Sequence, residues 1–462
     1  MIRYIYDHLP EFVRKPVAYL FFYAVPFPYN RGLRYANIYI YRELMKTQWW
    51  VEKNLLLLQF ERLRELLLYA YENVPYYNEL FTKYGFNPKK FQDFTDLSVL
   101  PRIVLTREEI NRNFEDLIPK NYDGYRILLK TGGTTRLPMS FYVSENTYLA
   151  ALACIQRQWY WAGVKPKDLI FVFRGGVVTK KAKRLNYFCE RINNEVYFDT
   201  SNMDGNTLNR YVDILNRMKP TAIRGFPSCL EILSDYIIER KISVHQPKAI
   251  QTSSEVLLPK QREKIELAFG SKVFDTYGNG EHTIIATECD KHSGLHLNQE
   301  FGYTEFVKIG ETEENESIYK VITTSLFNSA FVFFRYDTED LVILDHSACS
   351  CGRRFPLIKK VMGRCGDIIR CSNGKKISPV SFANFWVDNL KDRLKGIKYV
   401  QLVQKDLEYF VVRLIGQEDR ENEQAIKEIL PNLLGEKIKI DFEYLSHIDF
   451  HKKWRVTISE IE

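Results

Sequence analysis

Residues 130–138 read Lys130-Thr131-Gly132-Gly133-Thr134-Thr135-Arg136-Leu137-Pro138. Glycine lets consecutive backbone N–H groups turn inward with no Cβ in the way. Inward N–H groups in succession form a nest for a phosphate. The threonine hydroxyls add donors, and the Arg136 guanidinium can fork onto phosphate oxygens. A small Gly/Thr cluster is more often a plain surface turn, so the sequence around it decides between the two.

Downstream, the pattern alternates between strand and helix. Leu169–Phe173 is a short apolar strand closed by Arg174-Gly175-Gly176, and Val196–Phe198 is a second. A helix with Leu208, Tyr211, Val212 and Leu215 on one face stops at Pro220, and Thr221–Arg224 follows as a strand. Pro227 suits the first turn of the next helix, where its missing N–H costs nothing. Lys248–Thr252, a helix near 258–269 and Lys272–Asp275 complete the series. Buried strands alternating with helices predict an α/β fold with a mostly parallel sheet covered on both faces. Ligands of such sheets sit beyond the carboxyl ends of the strands, here the loops at Arg174, Arg224, Ser253-Ser254-Glu255 and Tyr277.

Upstream, residues 1–110 read as helical. Leu56, Phe60, Leu63, Leu67 and Tyr71 recur at helical spacing from Glu52 to Asn73, and Pro75 ends the run. Tyr303–Ile309, Ser317–Thr323, Ala330–Arg335 and Leu341–Leu344 predict antiparallel strands. Beyond 362 the style changes to a helix near 379–392, a hairpin (Tyr399–Val403, Tyr409–Leu414), a helix near 421–430 and an alternating strand, Ile438 to Tyr444. The expected division is a large domain, 1–362, and a small α+β C-terminal domain, 363–462.

The 462 residues exceed one simple core, and 45% hydrophobic with 27% charged residues describe an ordinary globular protein. The net charge of +7 is spread without a basic stripe, which argues against nucleic acid. No signal peptide opens the chain, and eight cysteines without one fit a reducing, cytoplasmic location. Val17–Val25, bracketed by Pro16 and Pro26, is about half the ~20 residues a membrane span needs. Core packing explains it most simply. Docking at the inner face of a membrane, helped by Arg14 and Lys15, is the alternative.

Several polar clusters follow strand-like segments. In Asp275-Thr276-Tyr277-Gly278-Asn279-Gly280-Glu281, Tyr277 can stack on a purine and Glu281 can hold a magnesium ion bridging phosphates. In Arg335-Tyr336-Asp337-Thr338-Glu339-Asp340, Asp340 is a candidate acceptor for ribose hydroxyls. Gly363-Arg364-Cys365-Gly366-Asp367 supplies Arg364 at the expected hinge.

Together with the glycine–threonine loop, with Ala70-Tyr71-Glu72-Asn73-Val74-Pro75-Tyr76-Tyr77 and with Arg224-Gly225-Phe226-Pro227-Ser228, these clusters resemble the adenylate-forming enzymes. The branch they resemble is the phenylacetate–CoA ligase family, with its capsule-biosynthesis and coenzyme F390 synthetase relatives. The resemblance implies an adenylate-forming ligase fold, in which Thr131, Gly132, Gly133, Thr134 and Thr135 cradle ATP phosphates with Arg136. It further implies that Tyr277 and Glu281 contact adenine and Mg2+, and that Asp340 and Arg364 hold ribose. Ser254, Glu255 and Gly278, beyond the same strand ends, complete the expected nucleotide contacts.

Cys289, His296, Cys349 and Cys351 offer three thiolates and an imidazole, a closed shell suited to structural Zn2+. His292 is the rival nitrogen, and reduced core cysteines are the plainer reading. A similar zinc site in the family favours the metal. Near the C-terminus, Lys453 precedes an aromatic–Arg–Val stretch and matches the superfamily lysine that reaches the acyl-phosphate. Lys453, Glu281 and Thr135 are the expected catalytic residues.

The chain departs from the family pattern at Arg136, where glycine is usual, and at Met139, where lysine is common. Gly366, Glu339 and Lys452 depart likewise. The implied activity is ATP-dependent activation of a carboxylate as an acyl-adenylate, then transfer to a thiol such as that of CoA. One alternative transfers to an amine or hydroxyl on a cell-surface polysaccharide precursor. Another is a zinc-bearing binding protein that has lost catalysis. A homodimer is compatible with the sequence.

Overall fold

The computed structural model describes residues 38–130, 139–173, 187–190, 194–200, 203–312, 314–364, 369–372, 376–377, 382, 385–386, 389–390, 393–397, 399–435, 437–445 and 455–461.

The first described elements are helices α1 (Ile38–Thr47), α2 (Glu52–Asn73), α3 (Pro75–Lys83) and α4 (Arg107–Arg112). Pro75 occupies the first turn of α3, so the residue that ends one helix begins the next. The buried stripe of α2 is Leu55, Leu63, Leu66, Leu67 and Ala70. Leu56, expected on that stripe, is instead exposed together with Leu57. Then come strands β1 (Arg126–Lys130) and β2 (Ser140–Ser144), which pair antiparallel with Lys130 opposite Ser140. The glycine–threonine stretch 131–138 therefore joins the two strands of one hairpin, and lies outside the described residues. Ser144 caps α5 (Glu145–Trp161) by accepting from Thr147 N.

The main sheet follows: β3 (Ile170–Phe173), β4 (Tyr187–Glu190), β5 (Glu195–Phe198), α6 (Gly205–Met218), β6 (Ala222–Gly225), α7 (Pro227–Glu239), β7 (Ala249–Ser253), α8 (Pro259–Phe269) and β8 (Val273–Gly278). It continues through β9 (Ile285–Glu288), β10 (Leu295–Leu297), β11 (Gly302–Glu311), β12 (Ser317–Ser325), β13 (Tyr336–Asp345) and β14 (Leu357–Arg364). The strands β5-β3-β6-β7-β8 run parallel. At β9 the pairing becomes antiparallel and stays so through β10, β14, β13, β12 and β11. The parallel half and the β-rich half are one continuous sheet.

Ala330–Arg335 does not form the predicted strand. Four successive residues, Phe331 to Phe334, are fully buried, so no face of the segment is left for alternation. Its backbone groups find scattered partners instead. Tyr77 Oη donates to Val332 O at 2.7 Å, Ser325 N donates to Phe333 O, and Val104 N and Leu105 N donate to Arg335 O. The segment thereby ties the N-terminal helices to the sheet.

Toward the C-terminus are β15 (Ile369–Arg370), β16 (Lys376–Ile377), β17 (Tyr399–Asp406), β18 (Tyr409–Ile415), α9 (Arg420–Ile429), α10 (Pro431–Leu434), β19 (Lys439–Leu445) and β20 (Thr457–Ser459). Four of these strands form a separate sheet, β19-β18-β17-β20, with its own core around Leu402, Phe410, Val412, Leu414, Ile426 and Leu430. Most of the helix expected near 379–392 lies outside the described residues.

A buried ion pair fixes the helices on the sheet. Arg157 of α5 and Glu300 are both fully buried, with Nη1 and Nη2 donating to the two carboxylate oxygens at 2.7 and 3.1 Å. Arg157 also donates to Leu44 O and Asn298 Oδ1, while Thr47 Oγ1 donates to Glu300. Removing one partner would strand a charge without water. Arg157→Ala should therefore cost about 3–5 kcal/mol in urea unfolding. Arg157→Met combined with Glu300→Leu should recover most of that loss. A cost below about 1 kcal/mol for Arg157→Ala would contradict the assignment.

Candidate active site

The loop after β7, the end of β8 with the turn that follows it, and strand β13 carry the polar residues that the sequence singles out. β8 ends at Gly278, where a Cβ would sit 3.1 Å from Ile284 O, so the glycine serves a close backbone approach. Tyr277, just before it, donates its hydroxyl to Asp340 Oδ2 at 2.7 Å, and both side chains are buried. In the β13–β14 ladder Arg364 stands opposite Asp340. The pairing places on neighbouring backbone positions two residues that are 24 apart in sequence.

Glu281 is held from another side. Tyr336 Oη donates to Glu281 Oε1 at 3.0 Å, with both residues only 2% exposed. The turn carrying Glu281 is braced by Asn279, which donates to Thr283 Oγ1 and accepts from Thr283 N. Thr323 Oγ1 donates to Thr283 Oγ1 at 2.7 Å, so β12 supports the same turn. Next to Glu281, burial lowers the pKa of His282 to about 4, which keeps the ring neutral at physiological pH.

The phosphate-loop residues Thr131, Gly132, Gly133, Thr134, Thr135 and Arg136 lie outside the described residues, but the root of their hairpin does not. Phe141, next to the last paired position, packs edge-on against Phe333 at 5.5 Å, and Phe333 packs against Tyr336 at 5.2 Å. Tyr336 is the residue that holds Glu281. The loop is therefore anchored within three side chains of that carboxylate. Met139, where the family resemblance leads one to expect lysine, is fully buried in the same cluster. It packs the hairpin against the core, and an ammonium there would lose its water.

Ser254 has φ +76°, a left-handed conformation unusual for a side chain other than glycine. Glu255 accepts from both Ser228 N and Ser228 Oγ at 3.0 Å. Its carboxylate thus sits on the N-terminal turn of α7, where the helix dipole favours negative charge. Lys453 lies outside the described residues. Sequence reading missed Tyr336, Thr283 and Thr323. Tyr336 lay inside the quoted Arg335–Asp340 cluster, but nothing local pairs it with Glu281.

Cys289, His296, Cys349 and Cys351 come together, their ligand atoms all within 4.8 Å of one another. Cys289 Sγ lies 3.8 Å from Cys349 Sγ, and Cys351 Sγ lies 3.4 Å from His296 Nε2. Tetrahedral zinc requires edges of about 3.8 Å between sulfurs and about 3.6 Å between sulfur and nitrogen. Burial pushes the Cys289 thiol up and the His296 imidazole down to about 4. The rival His292 is elsewhere, its Nδ1 3.3 Å from Glu288 and its ring on Phe274.

Comparison with known proteins agrees with this architecture. A solved 2-hydroxyisobutyryl-CoA ligase, in the postadenylation state with R3-HIB-AMP, superposes with a TM-score of 0.66 at 19% identity. The match covers 87% of this chain and 89% of that one. The fold is that of the adenylate-forming ligases. Residues 369–460 match the CapK C-terminal domain family. "Protein CapK" of Staphylococcus aureus is 25% identical over 98% of this chain and 95% of its own length. A phenylacetate-coenzyme A ligase of Thermus thermophilus is 25% identical over 68% of this chain and 71% of its own, and one of Escherichia coli is 26% identical over the same shares. The resemblance to the phenylacetate–CoA ligase family holds.

Proposed function

We propose that this protein activates a carboxylate with ATP and passes the acyl group to a thiol of the CoA type. The substrate carboxylate attacks the α-phosphorus, pyrophosphate leaves, and an acyl-adenylate remains. A thiol then attacks the acyl carbon and AMP departs. The observation that carries the reading is the convergence of side chains from β8, the turn after it and β13. Tyr277 is fastened to Asp340 and Tyr336 to Glu281, beside the root of the glycine–threonine hairpin.

In this reading Thr131, Gly132, Gly133, Thr134, Thr135 and Arg136 hold the phosphates. Tyr277 and Gly278 face the adenine with Ser254, and Asp340 with Arg364 takes the ribose. Glu255 acts from behind, keeping the loop after β7 against α7. Glu281 offers a carboxylate oxygen to Mg2+, which would neutralise phosphate charge. Lys453 stabilises the charge that develops at the α-phosphorus. The small C-terminal domain, from about residue 363, carries that lysine and moves between the two half-reactions.

The identity of the acceptor has a second reading. The likeness to phenylacetate–CoA ligases spans 68% of the chain, whereas that to protein CapK spans 98%, and residues 369–460 match a CapK-type domain. The capsule-biosynthesis resemblance read from the sequence motifs is what favours an amine or hydroxyl acceptor. Release of AMP from the preformed adenylate separates the two, because CoA accelerates it only under the first reading.

The half-reaction itself is tested by pyrophosphate exchange into ATP with a panel of aryl and short-chain acids. A carboxylate-dependent signal is expected. Lys453→Ala should lower it by about 10²–10³-fold, and Asp340→Ala should weaken ATP use by about tenfold or more. Exchange unchanged by Lys453→Ala would overturn the lysine's role, and failure to bind ATP would overturn adenylation.

The four-ligand cluster is proposed as a structural zinc site that joins the β9–β10 connection to the β13–β14 loop. With four protein ligands the shell has no position for substrate. Elemental analysis of the purified protein should find about one zinc per chain. Cys349→Ser should remove it and lower the melting temperature. Metal-free protein of full stability would contradict the assignment.

A further inference from the structure

The corner between α1 and α2 presents an apolar surface that the proposed chemistry does not use. Trp49, Trp50, Val51, Leu56 and Leu57 are between 37% and 57% exposed, all within nine positions of the chain. Monomeric proteins seldom leave such a group contiguous without a use for it. The corner is rigid. Trp50 N donates to Thr47 O and Leu55 N to Val51 O, closing the turn. Leu55 is buried against Cys289, Cys349 and Phe355. Gln48 accepts from Trp161 Nε1 at 2.8 Å and from Arg353 Nε at 3.3 Å.

The loop that carries Cys349 and Cys351 meets the same corner. The Arg353 guanidinium lies 5.0 Å from the Trp49 ring centre. Exposed lysines flank the apolar residues along the chain, Lys46 in the last turn of α1 and Lys53 in the first turn of α2, and Arg354, next to Arg353, is exposed as well. The acidic residues there are Glu52 and Asp290, and Asp290 is engaged by Lys291 at 3.3 Å. Nearby Glu43 is paired with Arg62 at 2.6 Å. Arg353 is itself buried against Gln48 and the rings of Trp49 and Trp161. With Lys291 and Asp290 paired, the exposed basic groups left are Lys46, Lys53 and Arg354, against Glu52.

We infer that this corner docks the protein on an anionic lipid surface. Tryptophan and leucine enter the headgroup boundary, and the exposed Lys46, Lys53 and Arg354 meet lipid phosphates. A second copy of the chain fits less well, because a two-fold contact would bring the same basic groups face to face. The protein would lie on the membrane rather than span it, since among the described residues no helix is long and apolar enough to cross. This inference does not depend on the adenylation reading.

Co-sedimentation of the full-length protein with vesicles tests it. Binding is expected to phosphatidylcholine vesicles containing about a third phosphatidylglycerol, to fall with salt, and to be absent with phosphatidylcholine alone. Lys46→Glu with Lys53→Glu should weaken it by about tenfold or more, and Trp50→Glu with Leu57→Glu should abolish it. These sites are exposed, so melting temperature and far-ultraviolet dichroism should not change. The inference is overturned by wild-type protein that stays in the supernatant, or by equal binding to neutral vesicles. It is equally overturned if both variants bind as wild type, or if Trp50→Glu with Leu57→Glu instead splits a dimer seen by light scattering.

Discussion

One buried guanidinium constrains much of this molecule. Arg157 cannot reach water, so its charge must be met by Glu300, Asn298 and the Leu44 carbonyl in one geometry. Those partners come from α1 and from the segment between β10 and β11, so meeting the charge fixes three parts of the chain relative to one another. The next residue on α5 extends the constraint to the strand ends. Gln158 donates to Asp275 O at 2.7 Å and accepts from Gln251 and Thr276. The helix that holds the N-terminal region in place also grips β7 and β8 just before Tyr277. Such pairs add little net stability over an apolar packing of the same shape, but they define one arrangement rather than several.

Much of the fold was legible in the sequence because its signals are local. Short apolar strands separated by amphipathic helices gave β3, β5, β6, β7 and β8, though not β4, and the alternation in Ile438–Tyr444 gave β19. Where reading failed, the deciding contacts were distant. Ala330–Arg335 has a strand's composition, yet it is buried on every side and bonds to Tyr77, Val104 and Leu105. Leu56 has the correct spacing for the buried stripe of α2, but the helix buries Leu55 in its place, along with the expected Leu63 and Leu67. Composition cannot choose between adjacent leucines.

The candidate site divides in the same way. Tyr277, Glu281 and Asp340 were legible as candidates because each stands in a polar cluster next to an apolar run, although Tyr277 and Asp340 prove to lie within β8 and β13 rather than beyond a strand end. The candidate metal-ligand set was legible in its residue types, and the geometry brings His296 rather than His292 to the three cysteines. Tyr336 and Met139 were not legible in these roles. Their parts are to hold a carboxylate and to root a hairpin, and both depend on contacts across the chain.

The proposed site thus has a floor fixed by hydrogen bonds, to which the glycine–threonine stretch and Lys453 are proposed to add. The floor is Tyr277, Asp340 and Glu281, each fixed by a hydrogen bond or a braced turn in a buried setting. Pre-positioned groups of this kind stabilise charge without reorganising when it develops. The most direct test of the account is a crystal structure with a non-hydrolysable acyl-adenylate analogue. It should place the adenine against Tyr277 and the ribose hydroxyls within hydrogen-bond distance of Asp340. An analogue bound away from this floor, with Tyr277 and Asp340 untouched, would contradict it.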